Sequence, residues 1–80
     1  MHYVYILTSL SAPNKIYIGS TTDLERRLEE HNQGKSPYSK QYIPWELKTY
    51  VAFSNKPKAD ACEKYLKSGS GFAFMKKRLL

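Results

Sequence analysis

The chain has 80 residues, of which 13 are basic and 7 acidic, with Cys62 as its single cysteine. This length predicts one small domain over residues 1–80, and one cysteine rules out both an internal disulfide and a cysteine zinc site. The net charge of +6 predicts either a polyanionic partner, such as nucleic acid, or simply a soluble basic protein. No apolar run approaches the ~18 residues that a membrane span needs, and the first residues lack a signal-peptide pattern, so we expect a cytoplasmic protein.

The first part of the chain predicts a β-hairpin. Residues His2–Thr8 and Lys15–Gly19 are rich in tyrosine and β-branched side chains, which is typical of strands, and the residues between them indicate a loop. A loop centred near residue 11 would set Tyr5 opposite Tyr17. Residues that face each other in an antiparallel pair share one face of the sheet, so we expect the two rings to lie together.

A helix and a long loop are expected after the hairpin. Thr22 and Glu25 form a capping box that predicts a helix over Asp23–Asn32, and Gly34 predicts its C-terminal end. Residues 34–44 predict a loop. This loop interleaves cations and aromatic rings at Lys35, Tyr38, Lys40 and Tyr42. It is either a flexible connector or a nucleic-acid contact, and its composition favours contact.

The predicted helix brings Arg27 and His31 toward its apolar side. Leu24 and Leu28 mark that side, and at 100° per residue Arg27 lies about 80° and His31 about 40° from its centre. Arg26 points about 180° away, into solvent. Arg27 then either makes an internal ion pair or binds a phosphate, for which guanidinium geometry is suited. His31 is either a packing residue or a catalytic one.

The second part of the chain predicts a third strand and two more helices. Trp45–Phe53 alternates apolar and polar residues and predicts a strand with one buried face. A helix begins near Pro57 and ends at the serine and glycine residues of 67–71. Its apolar stripe is Ala61, Cys62, Tyr65 and Leu66. A last helix carries Phe72, Met75 and Leu79. The order β-β-α-β-α-α predicts an α/β (α+β) fold, with a three-stranded, mostly antiparallel sheet flanked by three helices.

Charge is distributed unevenly in the last third of the chain. Its only carboxylates are Asp60 and Glu63, and five basic residues follow them with no further acid. Those five are Lys64, Lys67, Lys76, Lys77 and Arg78. Glu63 lies about 130° from the centre of the predicted stripe, which favours a solvated side chain. One carboxylate nevertheless suffices for a magnesium ion that keeps most of its waters and binds a substrate phosphate.

Together these positions resemble the GIY-YIG nuclease family, over nearly the whole chain. The motif Tyr17-Ile18-Gly19 is complete, and Tyr3-Val4-Tyr5 matches the family's first motif at its final tyrosine. Arg27 lies ten residues after Tyr17, where the family carries its essential arginine. His31 and Glu63 also lie where the family has a histidine or tyrosine and a metal-binding glutamate. The length and the late Lys-Ser-Gly segment resemble the family's small stand-alone members.

The resemblance implies a metal-dependent endonuclease that hydrolyses phosphodiester bonds in DNA or structured nucleic acid. By resemblance, Glu63 holds one Mg²⁺ or Mn²⁺, Arg27 stabilises phosphoryl charge, and Tyr17 is the general base. Tyr5 and His31 orient the attacking water. Nucleic-acid contacts are expected from Lys35, Tyr38, Lys40, Lys67, Lys76, Lys77 and Arg78. Two alternatives stay open, namely a catalytically silent nucleic-acid-binding module and a small subunit that needs a partner protein for specificity.

Overall fold

A three-stranded antiparallel sheet forms the centre of the fold. The computed structural model describes residues 1–80 and gives the strand order β2-β1-β3. The strands are β1 (His2–Ser9), β2 (Ile16–Thr21) and β3 (Trp45–Phe53). The helices are α1 (Leu24–Asn32), α2 (Pro37–Lys40), α3 (Lys56–Leu66) and α4 (Gly69–Arg78). The predicted α+β class and element order are confirmed, with α2 as an addition. No helix is long and apolar enough to cross a bilayer.

The central strand β1 is buried on both faces, which divides the interior into two cores. Successive residues of a strand point to opposite faces, so the alternate residues of β1 supply different cores. The first core, beneath α3 and α4, consists of Val4, Ile6, Ala59, Leu66 and Met75. The second core, beneath α1, consists of Tyr5, Leu7 and Trp45, with Tyr17, Leu24 and Leu28 packed against it. The candidate tyrosine, histidine and arginine residues all lie on the face of the sheet that carries the second core, which is called the second face.

An irregularity in β3 lets this strand contribute to both cores. Thr49 pairs with Ile6 and Leu47 with Leu7, so Lys48 is an extra residue in β3. Burial alternates along the strand as the sequence predicts. The predicted single apolar face is wrong, because the extra residue divides the stripe. Trp45 and Leu47 pack in the second core, whereas Phe53 packs against the first.

The hairpin pairs Tyr5 with Gly19, not with Tyr17 as predicted. The hairpin loop closes where Ser9 N donates to Lys15 O at 3.1 Å, so its centre lies one residue later than expected and the register shifts by two. Side chains alternate with a period of two, so this shift keeps Tyr5 and Tyr17 on one face. The predicted proximity of the two rings therefore survives the wrong pairing.

Both ends of α1 are capped by side-chain or backbone groups. Asp23, not Thr22, is the N-cap, since its side chain accepts from the backbone N–H of Arg26 at 3.1 Å. Gly34 has φ of +76°, the left-handed conformation that ends helices, and its N–H donates to His31 O. The predicted C-terminal stop lies at this glycine.

Two segments predicted as loop or turn are helical. Pro37 begins α2 because its fixed φ suits the first helical turn. Proline has no N–H, and an N–H at this position would have no partner within the helix. Ser68 caps α4 by accepting from the N–H of Gly71, so the serine and glycine residues start a helix instead of forming a turn. Gly71 is buried against the backbone of Tyr65, where a Cβ atom would overlap the carbonyl group. This glycine allows α3 and α4 to pack closely.

The buried side of α3 differs from the predicted stripe. Ala59 and Leu66 are buried, whereas Ala61 and Tyr65 are exposed. Glu63 consequently lies toward the body of the protein, with its side chain 24% exposed. The prediction of a solvated glutamate is wrong because it took Ala61 as part of the buried side of α3. Alanine suits buried and exposed positions alike, and in the structure Ala59 packs whereas Ala61 does not.

Candidate active site

Four of the five predicted catalytic residues form one cluster on the second face of the sheet. The Tyr5 hydroxyl lies 3.0 Å from His31 Nε2, and Arg27 Nε donates to it at 3.3 Å. The Tyr17 ring lies 4.4 Å from the His31 ring and stacks with the Tyr5 ring at 6.2 Å, measured between centroids. His31 is fully buried and Arg27 is half-buried, while Arg26 is exposed, as the helix geometry predicts.

The hydrogen bonds of this cluster form a directed chain. A guanidinium only donates, so the Tyr5 oxygen accepts from Arg27, and the same hydroxyl shares a hydrogen bond with His31 Nε2. His31 Nδ1 lies 2.8 Å from Ser39 Oγ, which in turn donates to the carbonyl of Ser36 at 3.4 Å. No buried side-chain nitrogen or oxygen lacks a partner.

Burial keeps both Tyr5 and His31 uncharged. Burial raises the pKa of Tyr5 above 10.0, and the hydrogen bond and charge of Arg27 only partly oppose it. Burial also lowers the pKa of His31 below 6.5, and the positive charge of Arg27 lowers it further. At neutral pH Tyr5 is therefore a phenol and His31 is a neutral imidazole.

Arg27 is held by two partners and keeps donors free. Its Nη1 donates to Glu30 Oε1 at 3.1 Å, in addition to the bond from Nε to Tyr5. Burial opposes its charge, but the hydrogen bonds to Tyr5 and Glu30 outweigh burial and raise the pKa of Arg27 further above its already high ordinary value. Nη2 takes part in neither bond. The internal ion pair expected as one interpretation is present, and it leaves the guanidinium able to bind a phosphate as well.

Tyr17 differs from Tyr5 in having a free hydroxyl group. Its ring is half-buried between His31 and Tyr38, whose centroid lies 6.0 Å away. Its hydroxyl makes no hydrogen bond to another residue, whereas that of Tyr5 is engaged by both Arg27 and His31. Of the two phenols, only Tyr17 can bind a water or a substrate oxygen without breaking a contact.

Glu63 lies outside the cluster and is paired with a lysine. Its Oε2 accepts from Lys67 Nζ at 2.8 Å, one helical turn away. No hydrogen bond joins it to the other four residues. Burial is the main cause of the raised pKa of Tyr5, and the charge of Glu63 makes the smallest contribution to it. No group of three histidine, cysteine or acidic side chains surrounds it. A single carboxylate that already attracts a cation fits a magnesium or manganese ion with few protein ligands.

Two residues that the sequence did not single out, Ser39 and Asn32, fix the position of α2 and the start of β3. Ser39 is fully buried, and its carbonyl accepts from Trp45 Nε1 at 2.8 Å. Asn32 accepts from Trp45 N at 2.6 Å and donates to Trp45 O at 3.1 Å. A serine in a polar loop and an asparagine at a helix end carry no signal of such partners. They become visible only once the tertiary contacts are known.

The residues predicted to contact nucleic acid lie in three places. Tyr38 is 43% exposed and packs beside Tyr17, so α2 adjoins the cluster, with Lys35 and Lys40 exposed on the same segment. Lys67 is paired with Glu63. The third group is Lys76, Lys77 and Arg78, in the last turn of α4. Because α4 packs on the opposite face of the sheet, the structure does not bring this third group to the cluster.

The fold and the order of the motif residues are those expected for a GIY-YIG domain, and a family model identifies the chain as one. The chain belongs to the GIY-YIG family, since the family model described as GIY-YIG catalytic domain matches residues 1–78. The family predicted from the sequence is confirmed.

The chain is similar to several proteins named UPF0213. One from Lactococcus lactis subsp. cremoris is 43% identical over 67 residues, which cover 82% of this chain and 66% of that protein. One from Haloquadratum walsbyi is 37% identical over 84% of this chain and 74% of its own length. The solution NMR structure of a Bacillus halodurans UPF0213 protein matches with a TM-score of 0.56 and 33% identity, over 95% of this chain and 82% of that one. The chain spans just under two thirds of the two Lactococcus relatives, at 66% and 62%.

Proposed function

We propose that the protein is a metal-dependent endonuclease that hydrolyses phosphodiester bonds in nucleic acid, with DNA as the proposed substrate. The observation that supports it is the convergence of Tyr5, Tyr17, Arg27 and His31, with Tyr5 Oη 3.0 Å from His31 and 3.3 Å from Arg27. A cation, a free phenol and a neutral imidazole in one half-buried cluster are suited to binding a phosphate and an attacking water.

In this proposal Arg27 binds the scissile phosphate. Its guanidinium is already oriented by Tyr5 and Glu30, so it needs no reorganisation when charge develops on the phosphoryl oxygens. Tyr17, whose hydroxyl is free, is the proposed general base: in its phenolate form it holds the attacking water and accepts its proton, which returns it to the phenol. Tyr5 and His31 stay neutral. Tyr5 fixes the position of Arg27 through a hydrogen bond, and His31 fixes the position of Tyr17 through ring contact.

Glu63 is the proposed metal-binding residue, for one Mg²⁺ or Mn²⁺. When bound, the ion supplies positive charge for the scissile phosphate and the leaving oxygen. Glu63 offers a hard carboxylate oxygen, and Lys67 must leave it or share it. Lys35, Tyr38 and Lys40 are proposed to contact the nucleic acid beside the cluster. We propose that the protein acts on DNA in the cytoplasm. The single free cysteine, Cys62, is in line with that compartment.

The experiment is incubation with labelled duplex, branched and single-stranded DNA and with RNA, each with Mn²⁺, with Mg²⁺ and with EDTA. Cleavage that requires the metal supports the proposal. Tight binding without cleavage under any metal would favour the silent binding module. The two internal ion pairs, Arg27 with Glu30 and Glu63 with Lys67, are the observation that favours that second function. Cleavage that appears only when a partner protein is added would indicate the subunit alternative.

A further inference from the structure

We propose that Ser39 is a positioning residue that holds His31 in the tautomer with its proton on Nδ1, so that Nε2 remains an acceptor for Tyr5. The catalytic consequence of this inference rests on the proposed endonuclease function, whereas the tautomer itself does not. Ser39 was not among the residues that the sequence marked, and it touches neither Arg27 nor Tyr17 through any hydrogen bond.

The two ends of this series of hydrogen bonds have fixed donor and acceptor roles. At one end Arg27 can only donate, so the Tyr5 oxygen must accept at 3.3 Å. At the other end the Ser36 carbonyl can only accept, so the Ser39 hydroxyl donates to it at 3.4 Å. The Ser39 oxygen is then left as an acceptor for His31 Nδ1–H at 2.8 Å.

The opposite tautomer would leave a buried group unpaired. If Nε2 carried the proton, the Tyr5 oxygen would accept from both His31 and Arg27. Its own hydroxyl proton would then have no acceptor, although Tyr5 is only 2% exposed. An unpaired buried donor is costly, so the Nδ1 tautomer is favoured as long as Ser39 offers an acceptor. Ser39 thus acts on Tyr5 through His31.

The backbone around Ser39 makes this acceptor rigid. Ser39 is fully buried, its carbonyl accepts from Trp45 Nε1 at 2.8 Å, and the carbonyl of Ser36 also accepts from Lys40 N at 2.9 Å. The one-turn helix α2 therefore cannot move away without breaking contacts in the second core. This arrangement explains why a four-residue helix is tied directly to the buried histidine.

The test compares Ser39→Ala with Ser36→Ala by NMR of the protein labelled with ¹⁵N. Ser36 makes no side-chain capping bond, so its variant is a matched control in the same segment. The chain has only two histidines, and the ¹⁵N shifts of each ring show which nitrogen carries the proton. We expect Nδ1–H for His31 in the wild type and in Ser36→Ala, and a mixture with a clearly larger share of Nε2–H in Ser39→Ala, because Nδ1–H then has no acceptor.

Ser39→Thr keeps a hydroxyl and should restore the wild-type tautomer, and Ser39→Cys, with a poor acceptor, should resemble the alanine variant. An Nε2–H wild type, or a Ser39→Ala variant with unchanged ring shifts, would overturn the proposal. The wild-type spectrum decides even if a variant does not fold.

Once a cleaved substrate is known, Ser39→Ala should lower kcat by about tenfold at little change in KM. A wild type that cleaves nothing would contradict the proposed function but not the tautomer.

Discussion

The ring of Tyr5 lies directly across the backbone of Gly19, its partner in the neighbouring strand. A Cβ atom at position 19 would stand 2.5 Å from the Tyr5 oxygen and 2.7 Å from Cζ. Real Cβ atoms do not approach other atoms so closely, so this ring position requires glycine. The glycine of the Tyr17-Ile18-Gly19 motif is thereby explained by packing: it makes room for the phenol that joins Arg27 to His31.

Gly19→Ala is therefore expected to displace Tyr5 and disconnect the cluster. We expect a loss of about 1–3 kcal/mol in the free energy of unfolding, as for other overpacked buried sites. Cleavage should fall at least about tenfold, because Arg27 loses its acceptor. Urea unfolding and initial cleavage rates measure the two effects. Gly69→Ala is the control, since nothing lies within 4 Å of its Cβ position. Equal stability and activity in the two variants would contradict this role of Gly19.

Arg26 and Arg27 allow a second test, because they are adjacent and carry the same charge. Only Arg27 contacts Tyr5 and Glu30. If Arg27 stabilises developing charge, Arg27→Ala should lower kcat about a hundredfold or more, as when a preorganised donor is lost. Arg27→Lys should recover little, because an ammonium lacks the guanidinium's paired donors. Arg26→Ala should keep near-normal kcat. Matching kcat values for the two alanine variants at saturating substrate would remove Arg27 from the catalytic set.

The positions of Arg27 and His31 show what the sequence could predict. Leu24 and Leu28 repeat at helical spacing, and this repeat alone sets the side of α1 that is buried. The side of α3 could not be set in the same way, because it depends on which of Ala59 and Ala61 packs. Alanine suits both a core and a surface, so only the contact with β1 decides.

Features that depend on contacts between residues distant in the sequence could not be predicted. The extra residue at Lys48 divides β3 between two cores, yet the sequence alternates regularly through it. In the sequence, Ser39 is one serine of a polar segment. Only the formation of α2 places it beside His31, eight residues away in the chain. Local patterns determine elements and faces, whereas register shifts and buried polar partners arise from tertiary packing.

Metal dependence is tested by Glu63→Gln, with Asp60→Asn as the matched control on the same helix. Cleavage should require Mg²⁺ or Mn²⁺ and be lost in Glu63→Gln, while Asp60→Asn should stay within about twofold of the wild type. The Glu63–Lys67 pair is partly exposed, so its loss should change the free energy of unfolding by about 1 kcal/mol or less. Full cleavage in EDTA, or by Glu63→Gln, would contradict a metal-binding Glu63.

Salt dependence can show whether one or both of the basic surfaces contact nucleic acid. Phosphate contacts release counterions, so affinity should fall steeply with salt, and each lost contact should reduce the slope of log K against log salt by about 0.9 on duplex DNA. Two sets can be neutralised separately: Lys35 and Lys40 beside the cluster, and Lys76, Lys77 and Arg78 on α4. We expect both sets to reduce the slope, with kcat at saturating substrate nearly unchanged. Binding that is insensitive to salt would argue against a polyanionic partner.

The opposite pKa shifts of His31 and Tyr5 predict a plateau of stability between two pH limits. Burial, followed by the charge of Arg27, lowers the pKa of His31 in the folded protein, with Glu30 opposing weakly. The unfolded chain therefore takes up a proton near its usual pKa of 6.5 while the folded protein does not, and stability falls as the pH drops below that value. Burial raises the pKa of Tyr5, so above pH 10.0 the unfolded chain ionises first and stability falls again.

His31→Gln tests the acid limit of this plateau. A glutamine cannot be protonated, so the fall in the free energy of unfolding between about pH 6.5 and 5.5 should largely disappear, although the variant is less stable at every pH. His2→Gln is the control, because His2 lies at the start of β1 outside the hydrogen-bonded cluster. Urea unfolding at closely spaced pH values measures the effect. A fall of the same size in the wild type and in His31→Gln would show that His31 does not resist protonation in the folded protein.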